Sequence, residues 1–276
     1  MPQPSPNPLI AARDAFAARH PEERAVLNTR DWGVIDTGGA GQVVVLIPGT
    51  LGRADIFWQQ IQGLAGLRAL AVSYPADGGI AEWVEDLATL LHQRGIRHAA
   101  VLGSSLGGYL AQALASAHPE RVSHLFAANT LSSTTGIAER PPYALDLRRA
   151  PIADLRAGFG TAMQAWGQTH PEQTDLVGLL LAEGAARIPE GELRARLAAL
   201  KDTAPLEVDS RPPAQTTIIE TDDDPLIPPT LRAGVRHRLA GAAVFRFQWG
   251  GHFPYVLRPE LYTGLIRARM GLAPLS

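Results

Sequence analysis

The chain has no cysteine in its 276 residues. That excludes disulfides, thiolate nucleophiles and cysteine-bearing metal sites, and it removes the usual clue to redox compartment. Net charge is also nearly absent: 25 Lys and Arg against 27 Asp and Glu leave a formal −2. Nothing therefore favours a nucleic acid or an anionic membrane as partner. No run of 18 or more uncharged apolar residues occurs, so no membrane span is expected. The first eight residues hold four prolines and no basic residue, unlike a secretory signal. These absences predict a cytoplasmic protein acting on a small molecule. No motif speaks to oligomeric state.

What is plentiful is apolar surface, at 46% of residues, enough for one large domain. Short apolar runs at residues 43–47, 70–73, 99–102, 125–128, 216–219 and 243–247 read as strands buried on both faces, because strict apolar/polar alternation is missing. Between them, Trp83, Leu87, Leu90 and Leu91 recur at helical spacing, as do Leu106, Leu110, Ala113 and Leu114, and later Leu261, Leu265 and Ile266. Strands alternating with helices predict an α/β fold with a doubly wound, mostly parallel sheet, whose functional loops follow the carboxyl ends of strands.

The alternation breaks over residues 129–213. Helical patterns occur there, around 155–166, 175–186 and 191–200, without a convincing strand. The stretch is too long for a plain connection. It reads as a helical cap inserted into a core made of residues 1–128 and 214–276, with a separate helical domain as the alternative.

Gly103-Ser104-Ser105-Leu106-Gly107 has the G-x-S-x-G spacing, and only Ser105 has glycine at both i−2 and i+2. A strand that reverses abruptly into a helix needs this arrangement. The two elements pass so close that side chains at the flanking positions would collide. The run 99–102 leads in and 106–117 leads out, so Ser105 is the expected nucleophile.

A serine hydroxyl needs a base within hydrogen-bond reach. Of eight histidines, only His252 follows an expected strand in a glycine-rich loop, Trp249-Gly250-Gly251-His252-Phe253-Pro254. The orienting carboxylate belongs after the strand at 216–219, where Asp222-Asp223-Asp224-Pro225 stands. Three adjacent carboxylates are costly unless some are partnered. Asp224, nearest the following apolar turn, is the expected partner of His252, with Asp222 and Asp223 as alternatives. Nothing in this scheme calls for a metal or cofactor: the histidines are scattered, and the aspartates lack calcium-loop spacing.

After the run 43–47 comes Pro48-Gly49-Thr50-Leu51-Gly52-Arg53. A turn there can aim backbone N–H groups at the point also faced by the N–H of Leu106, forming an oxyanion hole. Thr50 is the expected first donor, with Leu51 next. Arg53 is either a substrate anchor or a solvated side chain. Tyr143, Phe159, Met163 and Trp166, in the expected cap, are candidates to line an apolar substrate pocket or equally to fill the cap core.

These motifs resemble the α/β-hydrolase family along nearly the whole chain, with Pro48-Gly49 where many members have His-Gly. The resemblance implies an eight-stranded sheet, a cap after the sixth strand and no cofactor. Leu106-Gly107-Gly108-Tyr109-Leu110-Ala111-Gln112 and Gly250-Gly251-His252-Phe253-Pro254-Tyr255 are closer still to maspardin-like members, regarded as adaptor or binding proteins. The maspardin pattern has asparagine where this chain has His252. Two readings follow: a serine hydrolase cleaving an ester, thioester or lactone through an acyl-enzyme on Ser105, or a non-catalytic binding module on the same fold.

Overall fold

The structure is a computed structural model that describes residues 6–206, 209 and 211–273; residues 1–5 of the proline-rich start lie outside them. Strands β1 (Glu23–Leu27), β2 (Arg30–Asp36), β3 (Val43–Ile47), β4 (Arg68–Ser73), β5 (Ala99–Ser104), β6 (Val122–Ala128), β7 (Thr216–Thr221) and β8 (Ala243–Phe247) form one sheet. Their order is β1-β2-β4-β3-β5-β6-β7-β8. β1–β2 and β2–β4 pair antiparallel, and all other pairs are parallel. The expected doubly wound α/β architecture is present.

The helices are α1 (Pro8–Arg19), α2 (Trp58–Gly63), α3 (Ile80–Gln93), α4 (Leu106–Ala117), α5 (Ile152–Thr169), α6 (Thr174–Ala182), α7 (Glu190–Asp202), α8 (Pro229–Arg238), α9 (Pro254–Leu257) and α10 (Pro259–Arg269). Each central strand divides its side chains between two apolar layers. Val45 and Ile47 of β3, Val101 of β5 and Leu125 of β6 face Trp83 and Leu87 of α3 and Leu110 of α4. Their neighbours Val44, Leu46, Leu102 and Phe126 face Phe16 of α1, Trp58 of α2 and Tyr262 of α10. Both faces are apolar, so period-two alternation vanishes from the sequence. Each fully buried aliphatic side chain contributes about 1.5–3 kcal/mol.

Six of the eight strands were legible as apolar runs; β1 and β2 were not. They form an antiparallel edge, and β1 is largely exposed along Glu23, Arg24 and Val26. Their connection, Asn28-Thr29, has φ of 45° and 81°, a primed hairpin turn that threonine does not advertise. α3 ties this hairpin down. Its fully buried Asp86 accepts from Arg30 Nε at 2.6 Å and Trp32 Nε1 at 2.9 Å.

Between β6 and β7 the described residues contain helices and no strand. α5, α6 and α7 match the three helical patterns expected there, with Glu183–Arg187 continuing α6 as a π-helical turn. No helix among the described residues is long and apolar enough to cross a membrane.

Candidate active site

One residue, Ser105, separates β5 from α4. Its backbone sits at φ 56°, ψ −120°, a conformation costing a non-glycine residue about 1–3 kcal/mol. The reversal works because the flanking glycines carry no side chain. A Cβ on Gly103 would lie 1.9 Å from the Gly107 carbonyl oxygen, and one on Gly107 would lie 2.1 Å from that of Ile47. We expect Gly107→Ala to destabilise the protein by at least about 3 kcal/mol, since backbone must move on both sides. Gly160→Ala, in α5 with its nearest neighbour 4.0 Å away, should instead stabilise by about 0.5–1 kcal/mol. Urea unfolding of the two variants checks the contrast.

The three aspartates after β7 have three different tasks. Asp222 is exposed and bonds Arg246 Nε at 3.1 Å. Asp223 accepts the backbone N–H groups of Gly250 (3.2 Å) and Gly251 (2.9 Å), shaping the histidine loop. Asp224 is buried and meets His252 Nδ1 at 3.0 Å through Oδ1 and 2.9 Å through Oδ2. Its Oδ1 also accepts the N–H groups of Leu226 (2.8 Å) and Ile227 (3.0 Å). Burial alone would raise the Asp224 carboxyl, but His252 and these hydrogen bonds outweigh it and hold it below the ordinary aspartate range.

Sequence reasoning missed a further partner. Asn129, directly after β6, donates through Nδ2 to Asp224 Oδ2 at 2.9 Å and to Thr221 Oγ1 at 3.0 Å. Its φ of 41° marks a sharp departure from the strand. Its position after a central strand was the one available signal.

His252 is buried to 5% exposure, and its ring opens on a cavity of about 290 Å³ that Ser105 also lines. Among the described residues the Ser105 side chain makes no hydrogen bond. Gly49 approaches the same point: a Cβ there would lie 3.1 Å from Ser105 Cβ. Thr50, Leu51 and Gly52 follow it along the cavity wall. The backbone N–H groups of Thr50 and Leu106 donate to no acceptor among the described residues. Both are therefore available to an oxygen placed above Ser105.

Of the expected pocket residues, Leu51, Tyr143, Phe159 and Met163 line this cavity. Burial pushes the Tyr143 phenol up to about 12, with the neighbouring Thr50 side chain acting the other way. Two expectations are corrected. Arg53 does not line the cavity. Its guanidinium bonds Glu22 at 2.5 Å and Glu192 at 3.2 Å, because the half-buried carboxylate just before β1 and the buried one on α7 claim it. Trp166 does not line the cavity either. It stacks on His170 at 3.6 Å between ring centroids and donates Nε1 to Gln173 at 2.9 Å. This places it behind Gly251, where a Cβ would lie 3.6 Å from the indole.

Comparison with known proteins gives a consistent picture. A family model described as alpha/beta hydrolase fold matches residues 42–259. Maspardin of Danio rerio is 23% identical over 252 residues, covering 88% of this chain and 80% of that protein. "Putative carbamate hydrolase RutD" of Klebsiella pneumoniae is 27% identical over 257 residues, covering 82% and 90%. A hydrolase of Pseudomonas aeruginosa PA01 superposes with a TM-score of 0.75 at 22% identity, covering 91% of this chain and 98% of that one. An enol-lactonase of Burkholderia xenovorans LB400 does so with a TM-score of 0.72 at 16% identity, covering 90% and 100%. At such identities the structural likeness speaks for the fold alone.

Proposed function

The chain belongs to the α/β-hydrolase family, and we propose that it acts as a serine hydrolase on a carboxylic ester, thioester or lactone. The observation that carries this reading is the buried Asp224–His252 pair opening on the cavity that Ser105 lines. A relative named as a putative carbamate hydrolase agrees with the hydrolase part of it. Residues 129–213 form the cap in this reading, and their Phe159 and Met163 line the cavity that holds the acyl group.

In the mechanism, Ser105 Oγ attacks the substrate carbonyl carbon while His252 Nε2 takes its proton. Asp224 holds the Nδ1–H tautomer and stabilises the imidazolium. The carbonyl oxygen becomes an oxyanion and receives the N–H groups of Leu106 and Thr50, with the α4 N-terminus adding partial positive charge. The imidazolium then protonates the leaving alkoxide or thiolate. Water, deprotonated by His252, attacks the acyl-enzyme; as the bond to Ser105 Oγ breaks, the imidazolium returns the proton to that oxygen and the acid is released. Ser105 Oγ and His252 form no hydrogen bond among the described residues, and such a catalytic bond commonly tightens only when substrate is bound.

Fluorophosphonate labelling tests the assignment. Wild-type protein should label on Ser105, and Ser105→Ala should not. The likeness to maspardin over 88% of the chain supports the competing reading of a binding module. A folded wild type that no fluorophosphonate labels would favour it.

A further inference from the structure

The oxyanion loop is gripped from behind by side chains that no motif marks. Arg196 leaves α7 fully buried, at 0% exposure. Its Nη1 donates to the carbonyl oxygens of Thr50 at 3.0 Å and Gly52 at 2.8 Å. Its Nη2 donates to Glu192 Oε2 at 2.9 Å, one turn earlier on the helix. Glu192 also bonds Arg53, at the end of the same loop, at 3.2 Å. The Arg196 guanidinium lies 5.0 Å from the Tyr74 ring centroid, and the Tyr74 hydroxyl donates to the Pro48 carbonyl at 2.8 Å. Leu51, between these anchors, inserts its side chain among Leu155, Leu193 and Leu197 of α5 and α7.

The consequence for the N–H groups follows from peptide geometry. In a trans peptide, the carbonyl of one residue and the N–H of the next point in opposite directions. Pinning the Thr50 carbonyl on Arg196 turns the Leu51 N–H away from the guanidinium. The Gly52 N–H bonds the Gly49 carbonyl at 3.1 Å, which turns the Thr50 N–H to the other side of the loop. A loop containing two glycines and lacking this grip would have several orientations of comparable energy.

We propose that Arg196 is a positioning residue that, by anchoring the Thr50 and Gly52 carbonyls, holds in place the turn whose Gly52–Gly49 bond aims the Thr50 N–H where the oxyanion forms, so that α7 of the cap sets the electrostatics of the reaction. This rests on the hydrolase reading above. Arg196 touches no substrate. Its cation, shared between two backbone carbonyls and one carboxylate, acts only through the loop, and such preorganised donors are worth most when they need not reorient during the reaction.

Arg196→Met and Arg196→Lys test it, beside wild type and Ser105→Ala, with p-nitrophenyl butyrate as substrate. The second readout is inhibition by a trifluoromethyl ketone, which forms a tetrahedral oxyanion on serine, set against inhibition by butyrate. In Arg196→Met, kcat should fall ~10²-fold with KM within about threefold, as expected of a catalytic group misplaced by about 1 Å. Ketone affinity should fall by the same factor, and butyrate affinity should hold. Arg196→Lys, which keeps the charge but lacks the planar fork, should recover part of both losses.

A folded Arg196→Met with wild-type kcat and ketone affinity would overturn the proposal. So would a loss carried by KM alone. Should Arg196→Met fail to fold, Arg196→Lys decides by the same two readouts, because a merely structural role would not move kcat and ketone affinity together. A wild type without Ser105-dependent hydrolysis would defeat the hydrolase reading itself. An active wild type with an indifferent Arg196 defeats only this inference.

Discussion

Ser105→Ala is expected to lower kcat for p-nitrophenyl butyrate by on the order of 10⁶-fold while leaving stability nearly unchanged. The two parts have separate causes. Removing the hydroxyl ends nucleophilic attack, so what remains is the oxyanion loop and substrate binding acting on water, ~10³–10⁴ over the uncatalysed rate. Stability holds because the Ser105 side chain makes no hydrogen bond among the described residues. Alanine also inherits the same backbone, with its φ of 56°, no worse than serine does. Ser104, one residue earlier and buried, is the control. It lacks the glycine spacing, and Ser104→Ala should still label with fluorophosphonate. Equal labelling of wild type and Ser105→Ala would remove Ser105 from the chemistry.

Asp224→Asn should cost ~10⁴-fold in kcat, the size expected when an orienting carboxylate becomes an amide and selects the wrong imidazole tautomer. It should also destabilise by about 1–3 kcal/mol, because a buried donor loses its acceptor. The Asn129 amide, which donates to Asp224 Oδ2 at 2.9 Å, cannot share two oxygens with His252 once one becomes NH₂. Asp222→Asn, at an exposed carboxylate that faces Arg246, should leave kcat near wild type. Asp223→Asn weakens the acceptor for Gly250 and Gly251 and should fall between the two. Steady-state kinetics of the three variants ranks them.

Asp224 also predicts a pH dependence. Folding holds its pKa below the ordinary 3.8. The unfolded chain therefore takes up the proton first as pH falls. The stability Asp224 contributes is fully present above that ordinary value and is lost as pH drops through the lower, folded value. The stability gap between wild type and Asp224→Asn should accordingly be widest near neutral pH and narrow below about pH 4. Denaturant titrations at a series of pH values measure it.

The candidate site residues were legible because each sits in a local pattern with a steric or topological cause. Gly103 and Gly107 flank Ser105 because backbone passes through the space a Cβ would need, and that constraint is written at fixed spacing. His252 could be separated from seven other histidines because it alone follows a strand in a glycine-rich loop. Asp224 was a preference among three equivalent-looking neighbours, and only packing distinguished them. The β7–α8 turn buries one carboxylate toward His252, turns one to the histidine loop and leaves one beside Arg246.

Local pattern by itself determined the α/β order of elements, the strand–serine–helix reversal and the histidine loop, since these depend on neighbours a few residues apart. Tertiary structure alone decided what depends on distant partners. It drew Arg53 into an ion pair with Glu22 and Glu192, turned Trp166 onto His170, brought Asn129 to Asp224 and placed Arg196 beneath Thr50. Long polar side chains reach whichever partner burial leaves unsatisfied, and that partner is chosen by the packing of whole elements, which no short window of sequence contains.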